Sequence, residues 1–227
     1  LAARAQTAGR GRRGHKWDST AGNLLLSIVV RPNVNPAKYS GLAAVCGLAV
    51  LETLEKQGLA TEIGLKWPND LVARERKLGG ILVEAARDNE GKPFAVCGIG
   101  VNVNYTPQEV PDGGLAAIGL SDLHESVPSV DTLLDEVYHT AMDAVDAWAE
   151  QLNALADDAG PLAPVPDGYI TRLNWIGERV IARSPAGDEL ARGVFQTVDD
   201  FGRASIETED GLHAFHFEEA SLRPLSK

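Results

Sequence analysis

Apolar positions along the chain change their spacing three times. Residues 23–30 form an almost unbroken apolar run that stops at Pro32, which predicts a buried strand. A helix follows. Asn35 can cap it, Pro36 fits its first turn and Gly58 can end it, while Leu42, Val45, Ala49 and Leu54 share its apolar face. Three further strands fit around Leu65, at 80–85 and at 94–103, and residues 1–6 allow a short one ahead of them. Residues 106–128 are rich in Gly, Pro and Asp and read as a long loop. Leu133, Val137, Ala141, Val145, Trp148 and Leu152 then lie on one stripe of a helix over 130–152.

Residues 157–167 mark a boundary, because Gly160, Pro161, Pro164 and Pro166 cannot continue a helix. Beyond it the pattern shortens to strands at 178–183, 190–198, 203–208 and 212–217. Pro185-Ala186-Gly187-Asp188, Asp199-Asp200-Phe201-Gly202 and Asp210-Gly211 supply the turns between them. That is a small antiparallel β barrel of about fifty residues. The expected organisation is an α/β domain over 1–172 and a barrel over 173–227.

Hydrophobic residues make up 44% of the 227 and charged residues 23%, which suits a globular chain with a real core. No apolar run reads as long enough to cross a bilayer, and no signal peptide is recognised at the start. Cys46 and Cys97 form no CxxC pair and read as small buried thiols of a reducing compartment, so the expected location is cytoplasmic. A net charge of −11 disfavours a nucleic-acid surface, but the charge is uneven. Residues 1–16 carry Arg4, Arg10, Arg12, Arg13 and Lys16 with no acid, and residues 93–171 carry 13 acids with no Lys or Arg. A basic loop on an acidic protein points to a local anion site or to a solvated arm, and composition leaves both open.

Three segments carry candidate chemistry. Gly9-Arg10-Gly11-Arg12-Arg13-Gly14 matches G-x-G-x-x-G, yet the residues after it read as loop rather than as the helix a dinucleotide site needs. A mobile loop fits better, with glycines that let it fold over a ligand and arginines that grip phosphate or carboxylate. Trp17 just beyond can stack on a base or pack in the core. Lys66-Trp67-Pro68-Asn69-Asp70 ends a strand in a turn, and Lys77 stands at the mouth of a buried strand beside Gly79 and Gly80. Gly98, Gly100 and Asn102 alternate along one face of a strand, which leaves that face bare for close approach. His213 and His216 fall on opposite sides of a straight strand and cannot share one metal ion.

Taken in order, Gln6 to Gly14, Trp17, Lys66 to Asp70, Lys77-Leu78-Gly79-Gly80-Ile81-Leu82-Val83-Glu84 and Gly98 to Val103 resemble the biotin–protein ligase family. The strands that end in Glu219-Ala220-Ser221-Leu222-Arg223 resemble the family's SH3-like barrel. The likeness covers nearly the whole chain. Gly79 stands where many members have alanine, a mild change, and the family's upstream strand and helix, with a Ser-Thr element, are expected to be missing. The resemblance implies a mixed sheet with helices, related to class II aminoacyl-tRNA synthetases. It implies ATP, Mg²⁺ and biotin as ligands, a biotin carboxyl carrier protein as partner, no membrane partner, and a family that allows homodimers.

The resemblance also implies roles. Lys77 touches the biotin carboxyl and the α-phosphate, and Arg12 folds over the adenylate. Gln6, Gly9, Arg10, Gly11, Arg13, Trp17, Gly79 and Gly80 bind biotin or adenylate. Asn102, Asp70, Gly98 and Gly100 place Mg²⁺–ATP, with no metal held by protein alone. Glu219 and Arg223 assist from the barrel. The rivals are a lipoate–protein ligase, a biotin-responsive DNA-binding regulator if a helix-turn-helix precedes the chain, and a nucleotide-binding oxidoreductase. The last is disfavoured because no βαβ unit surrounds the glycine-rich loop.

Overall fold

The strand predicted over 23–30 is β1 (Leu24–Val30), and it sits at one side of a five-stranded sheet. This computed structural model describes residues 1–108 and 114–225, so the centre of the long loop read over 106–128 lies outside the described residues. The other strands are β2 (Ile63–Lys66), β3 (Asp70–Ala73), β4 (Arg76–Arg87) and β5 (Pro93–Val101), in the order β1-β5-β4-β3-β2. All four strand pairs are antiparallel. Among the described residues, parallel pairing, the other half of a mixed sheet, is confined to single bridges at Leu65–Leu173 and Lys77–Ala117. Residues 1–6 do not form a full strand. Ala2 makes one bridge to Leu26, and Ala3 donates to the Leu25 carbonyl.

Asn35 caps the helical segment as expected, its side chain accepting from the Ala37 amide, but the first six residues wind as a 3₁₀ turn (Pro36–Gly41). Helix α1 (Leu42–Lys56) follows, and Gly58 ends it with φ +72°. Leu42, Val45, Ala49, Val50 and Leu54 are all buried, so α1 runs through the core. Pro36–Lys56 is therefore long and apolar enough by composition to cross a membrane, contrary to the reading from sequence, but 67% of its apolar window is buried inside the fold. Burial of each leucine contributes about 1.5–3 kcal/mol. Helix α2 (Val130–Asn153) starts at Ser129, whose hydroxyl accepts from the Thr132 amide. Its predicted stripe, Leu133 to Leu152, is buried throughout. The two helices cover one face of the sheet.

A short helix α3 (Pro166–Ile170) leads to the second sheet. Strands β6 (Arg179–Arg183), β7 (Glu189–Val198), β8 (Ala204–Thr208), β9 (Gly211–Phe215) and β10 (Ser221–Pro224) pair in the order β10-β6-β7-β8-β9. Phe195, Ile206, Val180 and Leu222 fill its inside. This unit is tied to the β2–β3 turn. The Trp67 indole donates to the Gly202 carbonyl, the Tyr169 hydroxyl donates to the Pro68 carbonyl, and Leu65 exchanges backbone bonds with Arg172 and Asn174. The barrel thus stands over the same turn that carries Lys66, Asn69 and Asp70.

Candidate active site

Side chains alternate along β4 and β5, so Gly80 and Gly100, which are paired, open onto the face of the sheet away from the helices. A cleft of about 1220 Å³ lies over that face. The glycine-rich loop, the β2–β3 turn, β4, β5 and the edge of the barrel line it, and Gln6, Trp17, Asp70, Lys77 and Arg223 are among its walls.

Its centre is one carboxylate between two ammonium groups. Asp70 Oδ1 lies 2.7 Å from Lys77 Nζ, and Oδ2 lies 3.2 Å from Lys66 Nζ. The side chain of Lys66 is only 5% exposed and that of Asp70 13%, whereas that of Lys77 is 32% exposed and faces the cleft. Burial opposes the charge of Asp70, but Lys77 and Lys66 outweigh it and hold the carboxyl well below the ordinary range. Burial pulls Lys66 down to about 8, against the pull of Asp70 and with help from Arg223 and Lys77. Burial also lowers Arg223, while Asp70 draws the other way. Lys66 and Lys77 around the one acid leave a local positive excess, which suits a polyanionic ligand. Lys66 was quoted from sequence only as part of a turn; nothing in its spacing separates it from a surface lysine.

Trp17 lies across the bare face of β5. A side chain at Gly100 would bring Cβ 2.8 Å from the indole ring, so the ring needs glycine there. Lys77 Nζ sits 5.4 Å from the ring centroid. The indole Nε1 of Trp17 is buried against β5 and has no partner among the described residues. Gly79 points the other way. A Cβ there would lie 2.7 Å from the Gly100 carbonyl oxygen, so alanine, expected from sequence to be a mild change, would force the backbones of β4 and β5 apart. Gly98 has more room, its nearest contact being the Leu82 carbonyl at 3.6 Å.

The loop arginines all line the cleft, and each is also engaged by the protein itself. Arg10 pairs with Glu84 on β4 at 2.9 Å. Arg12 donates to Asn69 Oδ1 and to the Phe217 carbonyl, and Asn69 in turn donates to the Ile81 carbonyl. Arg13 donates to the carbonyls of Phe217 and Glu218. Gly9 is buried beside Gln6 and Ser19, and Gly11 takes the His15 carbonyl through its amide. Gln6 Oε1 accepts from the Ser19 hydroxyl at 2.7 Å.

This geometry, a lysine-floored cleft under a glycine-arginine loop with a barrel at its rim, has counterparts among known proteins. The model of the biotin/lipoate A/B protein ligase family matches residues 1–104, and that of the biotin protein ligase C-terminal domain matches residues 175–223. A biotin–[acetyl-CoA-carboxylase] ligase of Mycobacterium tuberculosis is 36% identical over 212 residues, spanning 91% of this chain and 72% of the relative. The chain belongs to the biotin protein ligase family. A second ligase, from Paracoccus denitrificans, is 33% identical and is covered over 80% of its length. The biotin protein ligase of Aquifex aeolicus, solved with biotin and ATP, superposes with a TM-score of 0.77 at 27% identity, covering 99% of this chain and 88% of that one. The first family model spans biotin and lipoate ligases alike; the C-terminal match and the relatives point to biotin.

Two residues given ligand roles from sequence are also engaged inside this ligase. Asn102 is 2% exposed, and its amide nitrogen donates to the carbonyls of Lys77 and Ile118, so it braces the backbone that carries Lys77. Glu219 accepts from the His216 amide and caps the turn before β10, while Arg223 alone of that pair lines the cleft.

Proposed function

We propose that this cleft joins biotin to ATP as biotinyl adenylate and then passes biotin to a lysine of a biotin carboxyl carrier protein. The observation that carries the reading is the triad Lys66–Asp70–Lys77 at the floor of a cleft in a biotin protein ligase fold. In the first step an oxygen of the biotin carboxylate attacks the α-phosphorus of ATP, and pyrophosphate leaves. In the second, the carrier amine attacks the anhydride carbonyl, AMP leaves, and an amide and a proton result.

Both reactants of the first step are anions, so fixed cations must stand where their charges meet. Lys77 does so, held by Asp70 at the edge of the cleft. Lys66 and Arg223 widen the positive field toward the phosphates. Trp17 covers the adenylate, and Gln6 and Gly80 contact the biotin ring. Both oxygens of Asp70 face ammonium groups, and no three His, Cys, Asp or Glu converge among the described residues. In this reading Mg²⁺ enters with ATP as part of the substrate. The reading extends to catalysis in the domain 1–172, a barrel domain over 173–227, a cytoplasmic location supported by two free buried thiols, and a homodimer through the edge near β1, where Val29 is 59% exposed.

The experiment is carrier labelling. A carrier domain incubated with this chain, biotin and ATP should gain one biotin on a single lysine, read by mass spectrometry, and should gain none without ATP. Absence of label with a carrier that another ligase modifies would overturn the reading. Within it, Arg12 acts as a closure residue. Arg12→Gly should therefore release adenylate faster than it slows adenylate formation, and released adenylate acylates exposed amines. Labelling of an unrelated protein should rise several-fold; unchanged labelling with continuing adenylation would refute the closure role.

A further inference from the structure

Arg12 is held on two sides by one barrel residue. Its guanidinium carbon lies 5.1 Å from the centroid of the Phe217 ring, and its Nη2 donates to the Phe217 carbonyl at 2.8 Å. The same carbonyl accepts from Arg13, which also reaches Glu218. The remaining bond of Arg12, to Asn69, ties it to the β2–β3 turn. The guanidinium is thus gripped by the floor of the catalytic layer and by the turn between β9 and β10. It is withdrawn from water there, and burial, followed by the charge of Arg13, lowers its pKa. A cation–π contact gains strength with that desolvation. Arg12 and Phe217 are 205 positions apart. The barrel therefore reaches the loop that covers the cleft through a side chain as well as through its backbone.

We propose that Phe217 is a positioning residue, whose ring keeps Arg12 seated and so holds the glycine-arginine loop shut over the bound adenylate. Phe217 touches neither substrate nor reacting atoms; it acts through Arg12. Side-chain substitution removes the ring while leaving the carbonyl that Arg12 and Arg13 also use, so the two contributions separate. The ring is half-buried and packs against the rim of the core, so each variant is first checked for a cooperative melt. Any aromatic ring at 217 can serve, and an aliphatic side chain of similar bulk cannot.

The proposal rests on the biotin ligase reading, so its test has one arm that needs no ligand. Trypsin can cut this loop after Arg10, Arg12, Arg13 and Lys16. The initial rate of nicking there, in the free protein, reports how often the loop opens. The second arm is the dissociation rate of preformed biotinyl adenylate. Phe217→Leu should raise both rates about three- to tenfold, the loss of one partly desolvated cation–π contact. Phe217→Trp should return both to within about twofold of the parent, since the indole face binds a cation at least as well. Phe217→Met replaces the leucine variant if that one fails to show a cooperative melt. Equal nicking in the parent and the aliphatic variants, or equal acceleration in the aliphatic and tryptophan variants, would overturn the role of the ring. Failure of the parent to form any adenylate would strike at the ligase reading instead, and the nicking arm would still decide the role of Phe217.

Discussion

Lys77→Ala should slow formation of the biotinyl adenylate by about 10²–10³-fold, the usual loss when one preorganised charge is removed from a developing transition state. The fold should survive. Lys77 is about one-third exposed, and its backbone bonds, from its amide to the Ala116 carbonyl and from the Ile118 amide to its own carbonyl, do not use the side chain. Asp70 would keep Lys66 as a partner. The check is pyrophosphate exchange together with a thermal melt. A folded variant with near-parental exchange would remove Lys77 from the chemistry.

Asp70→Asn should have the larger effect on stability. It leaves Lys66, 5% exposed, and Lys77 as neighbouring ammonium groups without their shared counter-charge. Removal of one partner from a buried ion pair costs about 3–5 kcal/mol. Adenylation should fall as well, because Lys77 loses the group that aims it. The double variant Asp70→Asn/Lys66→Met discards the stranded buried charge and should recover most of the stability but not the activity. Denaturant unfolding of the three proteins decides it. A loss below about 1 kcal/mol in the single variant, or no recovery in the double, would contradict the account. The signs with pH are opposite for the two partners. The Asp70 carboxyl lies below its ordinary value in the folded chain, so its contribution is present above about pH 4 and is lost as pH falls through the folded value. Lys66 is lowered to about 8, so its burial costs stability at neutral pH, and that cost fades as pH rises from about 8 toward its ordinary value.

Local patterns carried much of this structure. The stripe of α2 and the Asn35 cap were legible because burial and capping act over a turn or two of chain. Strand β3 was not. It has four residues, and Arg74 and Glu75, which turn it into β4, adopt positive φ without being Gly, Asn or Asp, so no turn signal precedes β4. In the site, Lys77 and Asp70 were legible as parts of an ordered set of motifs. Their pairing was not, nor the place of Lys66 at the second oxygen of Asp70, since a buried ion pair is made by the hairpin that brings its members together. Arg12 was read as a lid residue, but its seat on Asn69 and Phe217 depends on contacts across 57 and 205 positions, which no spacing rule reaches. The polar role given to Asn102 came from the face it shares with Gly98 and Gly100; tertiary hydrogen bonds then claimed its amide for the backbone of Lys77 and Ile118.

The central claim is that the Lys66–Asp70–Lys77 cleft activates biotin and not another acid. Exchange of labelled pyrophosphate into ATP isolates that first step from any carrier. It should be rapid with biotin and close to background with lipoate or with no acid. Exchange with lipoate equal to that with biotin, or no exchange with biotin from a folded chain, would contradict it.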